Sequence, residues 1–247
     1  MAEPRSRLCV IPVRAGSKGL PDKNIRPFLG HPLLAHSVIQ ARDSGCFARP
    51  CDGIAVSSDS ADYLQKAADA GATALIERPA VLASDTAGSI DVLLHALEIC
   101  ETQARQRFDT VCLLQATSPL RQARDIVQAI GALETGGYDS VLSVSRAKAS
   151  PYATLLEPVS ADGEAGYVLS KQPDRAVTRR QDLPAVFQIN GAIYVWDRTA
   201  LEQHRAALCP RTGIHQMSAL RSIDIDDATD WAFAELAATL LATDPDL

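Results

Sequence analysis

LCVIPVRAGSKGLPDKN, residues 8–24, runs from six consecutive uncharged residues into a loop that carries three cations and two glycines. An apolar run of this length, with no polar–apolar alternation, predicts a strand buried on both faces, as in a parallel sheet. The strand ends where the basic loop begins. In an open α/β sheet ligands bind beyond the carboxyl ends of the strands, so the loop falls where chemistry is expected.

Outward from this stretch, short β-type runs alternate with longer helical ones. GIAVSSD at 53–59, ATALIERP at 72–79, TVCLLQ at 110–115 and SVLSVS at 140–145 read as further strands. Between them lie LLAHSVIQARDSG after Pro32, stopped by Gly45, and ADYLQKAADA, capped by Ser60 and stopped by Gly71. Residues 87–101 and about 124–133 carry two more helical patterns. FQINGAIYVW at 187–196 is again strand-like, and SIDIDDATDWAFAELAATLLA reads as a short strand followed by a helix. This order predicts one α/β domain over 1–247, with a mostly parallel sheet and helices on both faces. Residues 146–185 break the rhythm with Pro151, Pro158, Pro173, Pro184, Gly163 and Gly166, and read as an inserted arm of extended pieces and turns.

The bulk composition narrows the function classes. A chain of 247 residues, 47% hydrophobic and 22% charged, can bury a full core. A net charge of −6 argues against general nucleic-acid binding. No apolar run reaches the ~18 residues of a membrane helix, and the N-terminus lacks the layout of a secretion signal. Six scattered cysteines without a CxxC pair disfavour a zinc site and suit a reduced, cytoplasmic protein. Cys9 and Cys112 lie inside apolar runs, where a small buried thiol is the plain reading.

Four motifs carry chemistry. In RAGSKGLPDKN at 14–24, Arg14, Lys18 and Lys23 stand against one acid, Asp22, while Gly16 and Gly19 let the backbone approach a ligand. Such a loop can wrap a triphosphate and neutralise charge during transfer at its α-phosphorus, although the Walker order GxxxxGK[ST] is absent. By spacing alone it also describes a solvated turn. LLQATSPLR at 113–121 places Gln115, Thr117 and Ser118 at the sheet's carboxyl edge, where a hydroxyl-rich ligand could be read or a turn could cap the next helix. KQPDRAVTRRQDLP at 171–184 sets Lys171, Arg175, Arg179 and Arg180 against Asp174 and Asp182, a patch suited to a carboxylate or phosphate or to solvent. In IDIDD at 223–227, Asp224 and Asp226 share one face of the expected strand. Two carboxylates so placed repel unless a cation lies between them, and oxygen ligands beside phosphates point to Mg²⁺; the plainer alternative is that Asp227 or Asp226 caps the next helix, a reading that suits Asp227 best.

In this order, IPVRAGSKGLPDKN, the RPAVLASDTA run at 78–87, LLQATSPLR, RRQDLP, NGAIYV and SIDIDD closely resemble the bacterial acylneuraminate cytidylyltransferases, from about Cys9 to Trp231. The resemblance implies a Rossmann-like nucleotidyltransferase fold and a homodimer in which the 146–185 arm reaches a second subunit. Arg14, Lys18, Lys23 and Asn24 would hold CTP, with Arg14 and Lys23 nearest the phosphates. Arg78 and Ser84 fall where the family contacts cytosine and ribose. Gln115 would read the sugar, Arg180 and Gln181 belong to the RRQ motif facing it, and Asp224 and Asp226 would bind the metal. Lys171 stands where some sialic-acid enzymes carry Arg for the sugar carboxylate, Ala116 replaces the Pro of LLQPTSP, and Val13 replaces Ala. The implied reaction is transfer of CMP from CTP to the anomeric hydroxyl of a nine-carbon acidic sugar, with release of pyrophosphate. Arg14, Lys23 and Asp226 are the expected catalytic groups. The rival readings are a cytidylyltransferase for the eight-carbon sugar Kdo and a nucleotide-binding regulator without catalysis.

Overall fold

The computed structural model describes residues 5–247 apart from 18, 85–87, 161–164, 173–178, 180–181 and 245. In chain order the regular elements begin with β1 (Arg7–Pro12), the short pair β2 (Pro27–Phe28) and β3 (His31–Pro32), α1 (Leu33–Asp43), β4 (Gly53–Ser58) and α2 (Ala61–Ala70). They continue with β5 (Ala74–Glu77), α3 (Ser89–Ala104), β6 (Thr110–Leu114), α4 (Ala123–Gly136) and β7 (Ser140–Arg146). β8 (Leu156–Pro158), β9 (Tyr167–Leu169), β10 (Phe187–Asp197), α5 (Arg198–His204), β11 (Thr212–Gln216) and α6 (Ala228–Thr243) complete the order.

The chain divides into two units, Met1–Val144 with Ile189–Leu247, and Ser145–Gln188. The larger unit is built on a seven-stranded sheet in the order β11-β7-β10-β6-β1-β4-β5. β1 pairs parallel with both β4 and β6, β4 with β5, and β7 with β11, whereas β10 runs antiparallel to β6. The mostly parallel sheet expected from the sequence is therefore present, interrupted by one reversed strand.

The uniform apolarity of the central strands has a direct cause. Cys9, Ile11, Cys112 and Leu114 enter a core packed under Leu34 and Val38 of α1, Leu64 of α2 and Ile126 and Ile130 of α4. Their neighbours Leu8, Val10, Val111 and Leu113 point to the opposite core, covered by Leu93, Leu97 and Cys100 of α3 and Leu201 of α5. Both faces are buried, so both sets of alternating positions must be apolar. Cys9 and Cys112 are opposite each other in the parallel register, fully buried and unoxidised. A third cluster gathers Leu20, Phe28, Leu33, Ile225 and Trp231, and so fastens the basic loop and the acidic segment to α6.

Helix ends follow their local chemistry. The Ser60 side chain accepts from Tyr63 N, and Gly71 closes α2 in the left-handed conformation at φ +102°. Asp227 accepts from Thr229 N and Asp230 N, and Asp230 returns the bond, a complete capping box at the start of α6.

One expectation needs correction, and some elements went unread in the sequence. SIDIDD is not a strand: Ser222 closes a turn, residues 223–226 carry no regular structure and pair with no strand among the described residues, and the segment is held by Ile225 N donating to Thr117 O at 2.8 Å. β11 and α5 were not foreseen. β11 is a five-residue edge strand with alternating exposure, and α5 has only seven residues, too short for a helical period to show.

In the smaller unit β8 and β9 form an antiparallel pair. Leu156, Val159, Tyr167 and Val168 are exposed there. No helix among the described residues is long and apolar enough to cross a membrane.

Candidate active site

Strand order decides where the cleft opens. From β1 the chain moves to β4 and β5 on one side and returns through β6 on the other, so the order reverses between β1 and β6. Loops leaving two strands that diverge at such a point leave a crevice at the carboxyl edge. A cavity of about 670 Å³ lies there, within the larger unit, and its wall includes Arg14, Lys23, Asn24, Arg78, Ser84 and Gln115 together with Asp224 and Asp226.

The basic loop is held by its backbone. Ala15 N donates to Asp59 Oδ1 at 2.9 Å, and Asn24 Nδ2 donates to Arg14 O at 3.1 Å. Gly16 takes φ +71°, and Asp22 takes φ 53°, a left-handed residue that starts the single helical turn Lys23–Ile25. Gly19 faces the acidic segment so closely that an added Cβ would lie 2.4 Å from Asp226 O. Lys23, only 7% exposed, donates to Ile225 O at 2.6 Å and to Asp226 Oδ1 at 3.0 Å. A lysine expected over phosphates therefore also ties the basic loop to the aspartates. Asn24 Oδ1 is buried at the cleft wall with no hydrogen-bond partner among the described residues, an acceptor whose desolvation they leave uncompensated.

Arg78 follows β5. Its Nε donates to Ser57 Oγ at 3.2 Å and its Nη2 to Ser57 O at 2.6 Å, so the guanidinium is packed against the end of β4. Burial, with the charge of Arg14, lowers its pKa, partly offset by Asp59.

The loop after β6 is supported from below by Arg121, 1% exposed. This guanidinium donates to Ala192 O at 2.6 Å, Gln115 O at 3.3 Å, Ser37 Oγ at 2.6 Å and Gln40 Oε1 at 3.1 Å. Burial pushes its pKa down to about 10, still charged near neutrality. Arg121 closes the LLQATSPLR motif, yet its work is to hold backbone carbonyls beneath the cleft.

Asp224 and Asp226 flank fully buried Ile225, so both carboxylates face away from the core. The shared face predicted from strand alternation survives without a strand, because Ile225 anchors the segment. Desolvation raises the Asp224 pKa and the Asp226 charge adds to it, opposed by a hydrogen bond from Thr117 and by Lys23. Among the described residues no group of three or more His, Cys, Asp or Glu side chains converges on one point.

Sequence reasoning missed Ser17, Ser89 and Tyr194 on the cleft wall. Tyr194 lies on β10 at the cleft, and burial and the Asp224 charge raise its pKa. Of the other expected residues, Lys18, Arg180 and Gln181 lie outside the described residues, as does Arg175. Lys171 belongs to the smaller unit, where its Nζ sits 5.9 Å from the centre of the Tyr152 ring.

A sheet of this topology, with a basic glycine loop over its strand ends, has the layout of a nucleotide-binding α/β enzyme. Residues 8–235 match the family model described as Cytidylyltransferase. The chain is 34% identical over 228 residues to the post-translational flagellin modification protein B of Campylobacter coli, covering 92% of this chain and 93% of that one. It is 34% identical to a CMP-N,N'-diacetyllegionaminic acid synthase of Legionella pneumophila, covering 92% of this chain and 94% of that one. Against an N-acylneuraminate cytidylyltransferase of Streptococcus agalactiae identity is 32% over 91% of this chain, which spans about half (51%) of that relative's length. Among solved structures, a CMP:2-keto-3-deoxy-manno-octonic acid synthetase complexed with CTP superposes with TM-score 0.64 at 17% identity, covering 96% of this chain and 99% of that one. That likeness shows the fold. The chain belongs to the cytidylyltransferase family, as its motifs led us to expect.

Proposed function

We propose that this chain transfers CMP from CTP to the anomeric hydroxyl of a nine-carbon acidic sugar, a sialic-acid-like nonulosonic acid, and releases pyrophosphate. One observation carries the reading: a single cleft at the switch point brings Arg14, Lys23 and Arg78 to face Asp224 and Asp226. Two relatives, named for N-acylneuraminate and for N,N'-diacetyllegionaminic acid, support the nine-carbon class.

The donor set suits Mg²⁺. Two carboxylates share a face, and repulsion between them contributes to the raised pKa of Asp224. A hard dication relieves that repulsion and takes its remaining oxygen ligands from phosphate and water. Bound there, magnesium would supply charge neutralisation at the α-phosphate and acidify the attacking hydroxyl. Arg14 and Lys23 would stabilise charge on the triphosphate, and Asn24 Oδ1 offers a buried acceptor to a nucleotide donor. Arg78 and Ser84 would contact cytosine and ribose, and Gln115 would orient the sugar. The sugar C2 oxygen forms the new bond to the α-phosphorus while the bond to the β-phosphate bridge breaks, so no protein nucleophile is required.

Lys171, Arg180 and Gln181, with Lys18 on the nucleotide side, keep their assigned roles through motif position. The exposed Leu156, Val159, Tyr167 and Val168 of the smaller unit support a homodimer, since a two-stranded pair needs apolar cover to be stable. A cytoplasmic location fits a reaction that consumes CTP. The test is pyrophosphate release from CTP with a panel of nonulosonic acids and with Kdo. Turnover with a nine-carbon acid and none with Kdo is expected; the reverse pattern, or no turnover at all, overturns the reading.

A further inference from the structure

A buried charged cluster outside the cleft bears on the acidic segment. Asp125, 1% exposed, lies in the first turn of α4, where its Oδ2 accepts from Gln122 N at 2.9 Å. Its Oδ1 accepts from Arg221 Nη1 and lies 3.1 Å from His215 Nε2 on β11. Arg221 and His215 are each 9% exposed. Arg221 stands three residues ahead of Asp224, at the root of the acidic segment. The next residue, Ser222, is held as well: Asn190 Nδ2 donates to its Oγ at 2.8 Å, and Asn190 Oδ1 accepts from Ser143 Oγ at 2.6 Å. Beyond Asp224, Ile225 N is bonded to Thr117 O. The segment is thus clamped before and after its first carboxylate.

A buried ion pair is a poor way to add stability, because an apolar pair of similar volume serves as well or better. Arg221 Nε also remains buried without a hydrogen-bond partner among the described residues, so the cluster is not arranged for stability alone. What the pair does supply is a fixed point. Helix α4 and strand β11 are rigid elements of the sheet layer, and Arg221 ties an irregular segment to both through one carboxylate. We propose that Asp125, acting through Arg221, is a positioning residue that sets the height at which Asp224 and Asp226 face the cleft. The proposal rests on the reading of those two aspartates as metal ligands.

The test is Mn²⁺ binding, followed by electron paramagnetic resonance on the full chain with α,β-methylene-CTP, alongside thermal melts. Asp125→Asn and Arg221→Gln should each weaken Mn²⁺ binding by about tenfold, the lower end of what loss of outer-sphere support does to metal sites. Affinity for the analogue without metal should stay within about twofold, and Arg221→Lys should recover part of the loss. Should either single variant fail to fold, the double variant, which leaves no unpaired buried charge, carries the comparison. Wild-type Mn²⁺ binding in any folded Asp125 or Arg221→Gln variant overturns the proposal, and so does a double variant that cannot fold, which would assign the cluster to the fold alone. Asp226→Asn separates the two levels. If it too binds Mn²⁺ as the wild type does, the metal reading itself falls; if it loses Mn²⁺ while Asp125→Asn keeps it, only the positioning role falls.

Discussion

Replacing Gly19 with alanine adds one methyl group at the tightest approach between the basic loop and the acidic segment. The new Cβ would lie 2.4 Å from Asp226 O and 3.4 Å from Asp226 C, both backbone atoms that cannot rotate away. Ordinary van der Waals separation needs roughly 3.4 Å, so loop and segment must part by about 1 Å. Lys23 bridges the two, with bonds to Ile225 O and Asp226 Oδ1, and the shift would misplace cation and carboxylate together. A 1 Å misplacement of reacting groups can cost about 10²-fold, or roughly 2.7 kcal/mol of transition-state stabilisation. Pyrophosphate release should therefore show kcat/KM reduced by about two orders of magnitude. Gly16→Ala provides the contrast, since its Cβ would meet nothing within 4 Å among the described residues and φ +71° is what opposes it. That strain costs about 1–2 kcal/mol of local stability, and its effect on kcat/KM should be much smaller. Gly19→Ala kinetics within threefold of wild type, with an unchanged melting temperature, would refute the argument that the two segments work at contact distance.

Lys23→Met keeps the stem but deletes the charge that bonds Ile225 O and Asp226 Oδ1; kcat/KM for CTP, measured at saturating sugar, should fall by about 10- to 200-fold, as loss of one charged hydrogen bond to the triphosphate, about 1.5–3 kcal/mol, would give. Burial raises the Glu101 carboxyl, but the paired Arg198 guanidinium and Phe108 N–H more than offset this and hold it below its ordinary value. Its contribution is present above the unfolded pKa of about 4.3 and is lost as pH falls through the lower folded value, so Glu101→Gln should flatten the fall in melting temperature below about pH 4.3. Cys51 is half-buried whereas the other five cysteines are buried, and burial pushes Cys100 up to about 11; Ellman's reagent at pH 8 should find about one fast thiol in the native protein and all six after denaturation.

The parts of this molecule legible in the sequence are those where one physical requirement acts alone. β1, β4 and β6 are buried on both faces, so their apolar runs admit no other reading, and Ser60 and Gly71 mark α2 because each satisfies a backbone need. β11 was hidden because an edge strand half open to solvent is short and mixed in composition. SIDIDD misled in a useful way. Its alternation is real, but it arises from Ile225 packing beside Leu20, Phe28 and Trp231 rather than from strand pairing. In the cleft, charged residues in a glycine loop announced themselves, and Arg14, Lys23, Asn24, Arg78, Ser84, Gln115, Asp224 and Asp226 do meet around one cavity. Tyr194, Ser17 and Ser89 did not, since a tyrosine in a strand and serines beside a glycine or a helix start are ordinary until the fold turns them towards the cleft. Arg121 was visible as part of a motif, but its four hydrogen bonds under the loop could be known only once β6, β10 and α1 were placed.

The proposed chemistry is direct displacement at the α-phosphorus of CTP by the sugar's own C2 oxygen. It is tested by supplying a nonulosonic acid carrying ¹⁸O in the C2 hydroxyl and following the product by ³¹P NMR and mass spectrometry. Direct displacement gives a CMP-sugar whose phosphorus is shifted by the heavy isotope, with the label retained in the bridge and none in pyrophosphate. An unlabelled bridge in product formed while the unreacted sugar still carries its label, or label in free CMP without a linked sugar, would contradict it.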